Sequence, residues 1–147
     1  MQAIHLFASL GELWLGRGDL AKARTFGDEC LERATRTNSR KYLIKEWRLR
    51  GEIALARRQR DEAEEAIRRA LTIAEAISNP TQLWKTHVAL GRLHAETNRP
   101  EAARQAYQAA RAVLDGVKGR LRHPELRASF EQAPVVRHVY DLVKRAT

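Results

Sequence analysis

Histidines and carboxylates are the side chains with which metal binding or catalysis would have to begin in this 147-residue chain. His87 and His94 are seven residues apart, which on a helix places them about 10 Å apart along one face. Metal-binding pairs on a helix need four-residue spacing. Both histidines also correspond, eighty residues earlier, to aromatic side chains, Phe7 and Trp14. We therefore favour packing for both histidines over a ligand role.

No other motif has the spacing that chemistry requires. The carboxylates of residues 61–65 and Glu52 are not placed as an acid–base pair, and the chain has no HExxH and no GxSxG sequence. Residues 16–22, GRGDLAK, lack the spacing of a phosphate-binding loop. The single cysteine, Cys30, is expected to be a small core residue. The sequence thus predicts no catalytic residue, no metal and no cofactor, and favours a binding protein.

The charge distribution suggests an acidic partner. The net charge is +9, and the segment from Arg33 to Arg60 contains ten basic and two acidic residues. Residues 118–147 carry seven basic and three acidic residues. Nucleic acid is one such partner, but aromatic residues for base stacking are not interleaved with the basic ones. A protein or an acidic peptide is the preferred partner, with nucleic acid as the alternative.

The hydropathy pattern predicts no membrane partner. No segment approaches the roughly 18 uninterrupted apolar residues of a membrane span. The apolar first sixteen residues lack a basic start and are interrupted by His5, Ser9 and Glu12, so they predict a helix rather than a signal peptide. A single cysteine needs no oxidising compartment. The expected location is cytoplasmic.

A repeat organises most of the chain. Gly11, Gly51 and Gly91 are forty residues apart. Apolar residues recur at spacings of three and four, which is typical of helices. Each copy is interrupted once, at residues 16–20, 56–60 and 96–100. The predicted fold is all-α, a single domain 1–147 with three helix–turn–helix repeats (about 3–38, 43–78 and 83–117) and C-terminal capping helices at 121–147.

The turns and the glycines have predicted roles. Asp19 and Asn98 are expected to cap the second helices of the first and third repeats. A glycine inside a helix costs about 1 kcal/mol relative to alanine. We expect a close approach of two antiparallel helices to offset that cost, with Gly11 on one helix facing Ala23 on the other.

This pattern resembles the tetratricopeptide repeat, in which an aromatic residue, a Leu-Gly pair and two alanines around a large residue recur. The third repeat matches best, and the first departs at Gly27 and Cys30, where the family prefers a large residue and an alanine. The resemblance implies an α-solenoid. The positions that carry it are Gly11, Ala23, Trp47, Gly51, Ala63, Gly91 and Ala103.

The long period and the tail resemble a particular group of repeat arrays. Leu126-Arg127, Phe130, Pro134 and Val136-Arg137 form a tail similar to that of the C-terminal arrays of multidomain bacterial signalling ATPases and transcriptional regulators. The resemblance implies a module of a larger bacterial regulatory protein.

In such arrays the first helices of successive repeats line a concave, peptide-binding face. The resemblance therefore implies a non-enzymatic scaffold with a mixed, basic-leaning face. The known five-residue chaperone-tail clamp does not carry over, because only Lys85 agrees with it. Self-association through exposed solenoid ends is a further alternative. The residues expected on the face are His5, Glu12, Lys45, Arg48, Glu52, Lys85 and Arg92.

Overall fold

A computed structural model describes residues 2–146. In this range the chain is all-α, as predicted, with eight helices and no strand. No helix among the described residues is long and apolar enough to cross a membrane. The helices are α1 (Gln2–Gly16), α2 (Leu20–Thr37), α3 (Arg40–Ala56), α4 (Arg60–Ala76), α5 (Pro80–Glu96), α6 (Pro100–Gly119), α7 (Pro124–Gln132) and α8 (Pro134–Ala146).

The helices fall into two compact units, residues 1–82 and residues 83–147. The first unit holds the α1–α2 and α3–α4 hairpins and the start of α5. The second holds the rest of α5 with α6, α7 and α8. Whether the chain behaves as one domain stays a prediction.

Each of the three hairpin turns contains one residue with a positive φ at the same repeat position. Gly18, Arg58 and Asn98 are forty residues apart and all have a positive φ, of 80°, 60° and 61°. The Asp19 carboxylate accepts a hydrogen bond from the Lys22 amide at 3.0 Å, which confirms its capping role. The predicted Asn98 cap is wrong, because Asn98 turns the chain in the left-handed region and Arg99 occupies the cap position without a side-chain bond.

The repeated glycines make room for one particular side chain. A Cβ atom at Gly51 would lie 2.4 Å from Cγ1 of Ile67, and one at Gly91 would lie 2.4 Å from Cε1 of Tyr107. The backbone oxygen of Ala63 is the next nearest neighbour of Gly51, at 3.1 Å. In both hairpins the glycine therefore makes room for the large side chain four positions after the alanine. This contact comes in addition to the glycine–alanine contact that the sequence predicts.

In the first hairpin a side chain from a different helix fills the space beside the glycine. Where α4 and α6 carry Ile67 and Tyr107, α2 carries Gly27, so it has no large side chain to offer. Leu49 of α3 fills the space instead. Its Cδ2 atom lies 2.9 Å from a Cβ built on Gly11 and 3.0 Å from one built on Gly27. Burial of Leu49 thus links the α1–α2 hairpin to α3.

In the second unit α8 packs against α6. Val136 and Val139 are buried against Ala110 and Leu114, and Trp84 packs partly buried on the same cluster. The Tyr140 hydroxyl donates a hydrogen bond to Asp115 at 2.8 Å. The break that the sequence places at Pro134 separates α7 from α8.

Candidate functional site

The first helices of the first two hairpins lie side by side and bring three predicted site residues together. The Lys45 ammonium of α3 is 3.3 Å from the Glu12 carboxylate of α1. Nδ1 of His5 lies 3.2 Å from the Tyr42 hydroxyl oxygen, within hydrogen-bond distance. His5 and Glu12 are exposed, whereas Lys45 and Tyr42 are half-buried. We call the patch formed by His5, Glu12, Tyr42 and Lys45 the α1–α3 surface.

Arg48 lies beneath this patch rather than on it. Its side chain is buried, and its guanidinium donates hydrogen bonds to the side-chain oxygen of Gln82 at 3.0 Å and to the Gln82 backbone oxygen at 3.5 Å. Burial lowers the pKa of Arg48, while the nearby carboxylates of Glu52, Glu12 and Glu46 favour its charged form. Arg48 therefore contributes a fixed positive charge from inside the unit.

The remaining predicted site residues are Glu52 in the first unit and Lys85 and Arg92 in the second. Glu52, one turn beyond Arg48 on α3, is half-buried. In the second unit, Lys85 and Arg92 are exposed on α5. The Arg92 guanidinium pairs with Glu96 of the same helix at 2.8 Å. Lys85 and Arg92 occupy the repeat positions of His5 and Glu12.

The residues considered for chemistry are embedded in packing. His94 is buried and His87 is half-buried. Among residues 2–146 no group of three or more His, Cys, Asp or Glu side chains could hold a metal ion. Cys30 is buried, and burial, with Glu46 close by, raises its pKa to about 12. At neutral pH Cys30 is therefore a thiol rather than a nucleophilic thiolate.

Residues 45–115, from within α3 to within α6, match the family model of the tetratricopeptide repeat. These residues form tetratricopeptide repeats. No curated protein and no solved structure matches the chain. Tetratricopeptide repeats generally mediate protein–protein interaction and are typically non-catalytic.

The matched range does not include the first hairpin, α1–α2. That hairpin is also the one in which Gly27 replaces the large residue and Leu49 compensates. The departure from the family pattern at Gly27 is therefore linked to a real change in packing.

Sequence reasoning missed Glu46. This carboxylic acid is 2% exposed, and neither carboxyl oxygen has a hydrogen-bond partner. Glu46 lies at the repeat position that Leu6 and Thr86 occupy in the other hairpins. Neither of those residues is acidic, so comparison of the repeats did not indicate a buried acid. The residue in the sequence that could have indicated this buried acid is Gly27. A Cβ atom on Gly27 would lie 3.4 Å from Oε1 of Glu46, so the missing side chain leaves space for the carboxyl group.

The second unit contains an open pocket that the sequence did not indicate. It lies where the α5–α6 turn meets the end of α8 and has a volume of about 700 Å³. Its polar side chains are those of Asn98, Tyr107 and Arg145. The apolar part is lined by Ala95, Pro100, Ala103, Leu142 and Ala146.

Proposed function

We propose that this chain is a non-enzymatic scaffold that binds a protein or an acidic peptide through the α1–α3 surface of the first unit, with Lys85 and Arg92 of the second unit as a separate contact. It would act as a module of a larger bacterial regulatory protein in the cytoplasm. The observation that carries the proposal is the ion pair between Lys45 and Glu12, which joins the first helices of two successive hairpins.

The Lys45–Glu12 pair is suited to exchange with a partner. Glu12 is more than half exposed, and exposed ion pairs contribute only about 0–1 kcal/mol to stability. A carboxylate of an acidic peptide can therefore replace Glu12 at Lys45 at little cost. The His5 ring and the Tyr42 hydroxyl offer neighbouring hydrogen-bonding groups, and the buried charge of Arg48 favours an anion nearby.

A defined peptide library tests this proposal. Fluorescence anisotropy would measure binding of eight-residue acidic, neutral and basic peptides to the wild type and to a Lys45→Glu, Lys85→Glu, Arg92→Glu variant. We expect acidic peptides to bind the wild type and to lose affinity by about tenfold or more in the variant, a free-energy loss of about 1.4 kcal/mol. Arg48 is left unchanged because its burial would confound the result with unfolding.

A matched control has the same change in net charge at another place. Arg57, Arg58 and Arg60 are exposed around the α3–α4 turn, and all three would be changed to Glu. At 0.15 M salt, charges more than about 8 Å away are largely screened. Equal losses in both variants, or no preference for acidic peptides, would contradict the proposed surface.

A second candidate function is self-association through α1. Leu6 and Leu13 are 55% and 44% exposed, whereas Ile53 and Leu93, at the repeat position of Leu13, are 1% and 0% exposed. A Leu6→Lys, Leu13→Lys variant would abolish an α1 interface. Sizing over a range of concentrations should then show association only for the wild type; a wild-type monomer throughout would exclude this candidate.

Nucleic acid is less favoured as a partner because few aromatic residues for base stacking are interleaved with the basic residues between Arg33 and Arg60. One of these basic residues, Arg48, is also buried against Gln82. Nucleic-acid binding would appear as affinity for unrelated DNA sequences that falls steeply with salt.

A further inference from the structure

A buried acid occupies the interface between the first two hairpins. Glu46 projects from α3 toward Gly27 of α2, and its two carboxyl oxygens have no hydrogen-bond partner. An ionised carboxylate without partners is strongly disfavoured in a buried position, whereas the neutral acid is much less so. The neutral acid is therefore the form that this contact favours.

The charged and titratable groups around Glu46 come from three helices. Glu12 of α1 and Cys30 of α2 face it, together with Lys45 and Arg48 of α3 itself. Lys45 is already paired with Glu12, and Arg48 is hydrogen-bonded to Gln82. Neither cation neutralises Glu46 by direct contact, because both carboxyl oxygens lack a partner.

We propose that the α2–α3 interface is a proton-dependent joint, in which neutral Glu46 allows the α1–α2 hairpin to pack on α3 and loss of its proton loosens that packing. Leu49, the other side chain inserted at Gly27, lies in the same interface and would be loosened with it. The proposal concerns the stability of the first unit and does not depend on the identity of a binding partner.

The direction of the pH effect follows from linkage. Burial raises the pKa of Glu46 from 4.5 to about 8, and the charge of Glu12 adds to this rise while Lys45, the adjacent Cys30 thiol and Arg48 oppose it. The stability contributed by the neutral acid is fully present below pH 4.5 and declines as the pH rises toward about 8, where the folded chain ionises as well. Opening of the joint should increase across this window.

Cys30 provides a built-in reporter of opening. It is the single cysteine of the chain, it is fully buried among Ile4 and Ala8 of α1, and its Sγ lies 3.5 Å from the Ile4 carbonyl oxygen as a hydrogen-bond donor. A thiol reagent reaches it only when the hairpin separates. Dividing its labelling rate by that of the denatured chain at the same pH removes the effect of thiol ionisation.

The experiment compares the wild type with Glu46→Gln, which keeps the shape but cannot ionise, from pH 5.5 to 9. We expect the normalised labelling rate of the wild type to rise by up to about tenfold per pH unit up to about pH 8. The rate should be flat for Glu46→Gln. Glu65→Gln, which removes an exposed acid of α4, is the matched control and should follow the wild type.

Equal pH dependence in the wild type and Glu46→Gln, or none in either, would overturn the joint. A direct measurement needs no variant: the carbon-13 shift of the Glu46 carboxyl carbon in the wild type should titrate near pH 8. A midpoint near pH 4.5 would show an ionised acid at neutral pH and would overturn the proposal even if Glu46→Gln fails to fold.

Discussion

At the scale of single residues, the three repeat glycines have measurable consequences. In the third hairpin Gly91 lies against the Tyr107 ring, with Cε1 and Cδ1 at 2.4 and 2.5 Å from an ideal Cβ. A methyl group there requires the ring or the helix to move. The glycine is therefore needed for packing, whereas its helix propensity is unfavourable.

Gly91→Ala is expected to destabilise the protein by about 1–3 kcal/mol, the usual cost of overpacking, and Gly91→Leu by more. Gly116→Ala is the matched control within a helix, since its nearest neighbour is Arg120 at 3.8 Å. That control should gain up to about 1 kcal/mol from helix propensity. Chemical denaturation measures both, and a neutral or stabilising Gly91→Ala would contradict the packing.

Arg58 has a strained backbone conformation, which a glycine at this position should relieve. It has a φ of 60° at the turn position that Gly18 and Asn98 occupy in the other hairpins. The left-handed conformation costs a non-glycine residue about 1–2 kcal/mol. We expect Arg58→Gly to raise the free energy of unfolding by about 1 kcal/mol.

The neighbouring Arg57, with a φ of −88°, provides the control. Arg57→Gly should bring no gain, because glycine there only adds freedom to the unfolded chain. Equal effects of the two substitutions on the melting temperature would show that the turn conformation is not the cause.

At the scale of helices, Leu49 and Gly27 form one compensating pair. Leu49→Ala should cost about 2–5 kcal/mol by leaving a cavity between α1, α2 and α3. Gly27→Leu alone should also destabilise, because its side chain meets Leu49 and Glu46. The double variant restores the pattern of the third hairpin, in which Tyr107 is large and Ala89 is small.

A double-mutant cycle measures this coupling. The double variant should be more stable than the sum of the two single changes predicts, by about 0.5–3 kcal/mol. Additive effects would mean that the two positions do not share one space.

The helices and their turns were predictable because their signals are local. Apolar spacing, Asp19 and the prolines at 80, 100 and 134 act within a few residues, and the structure begins α5, α6 and α8 at those prolines. The error at Asn98 has a local cause as well. Asparagine favours both the cap and the left-handed turn, and here the turn position, which it shares with Gly18, prevails.

The candidate surface was less predictable because it depends on contacts between distant residues. Repeat register placed Glu12 and Lys45 on first helices, and they form an ion pair. Register could not show that Gln82 buries Arg48, or that Gly27 leaves space for Glu46. Charged residues are almost never fully buried without a partner, so from the sequence a charged residue is predicted to be exposed.

At the scale of the whole molecule, the first helices of the hairpins are the proposed site of partner binding. The tetratricopeptide match gives the kind of function, protein–protein interaction, while the α1–α3 surface and the columns of Lys85 and Arg92 are the proposed location. Affinities report binding by the whole chain, whereas backbone amide shifts report it residue by residue.

The most direct test is a nitrogen-15 NMR titration of the 147-residue chain with acidic eight-residue peptides at 0.15 M salt. We predict saturable shifts of the backbone amides around His5, Glu12 and Lys45 and around Lys85 and Arg92, with little change on the exposed faces of α2 and α4. Shifts confined to α2, α4 or the α3–α4 turn, or no saturable shifts at all, would contradict binding through the first helices.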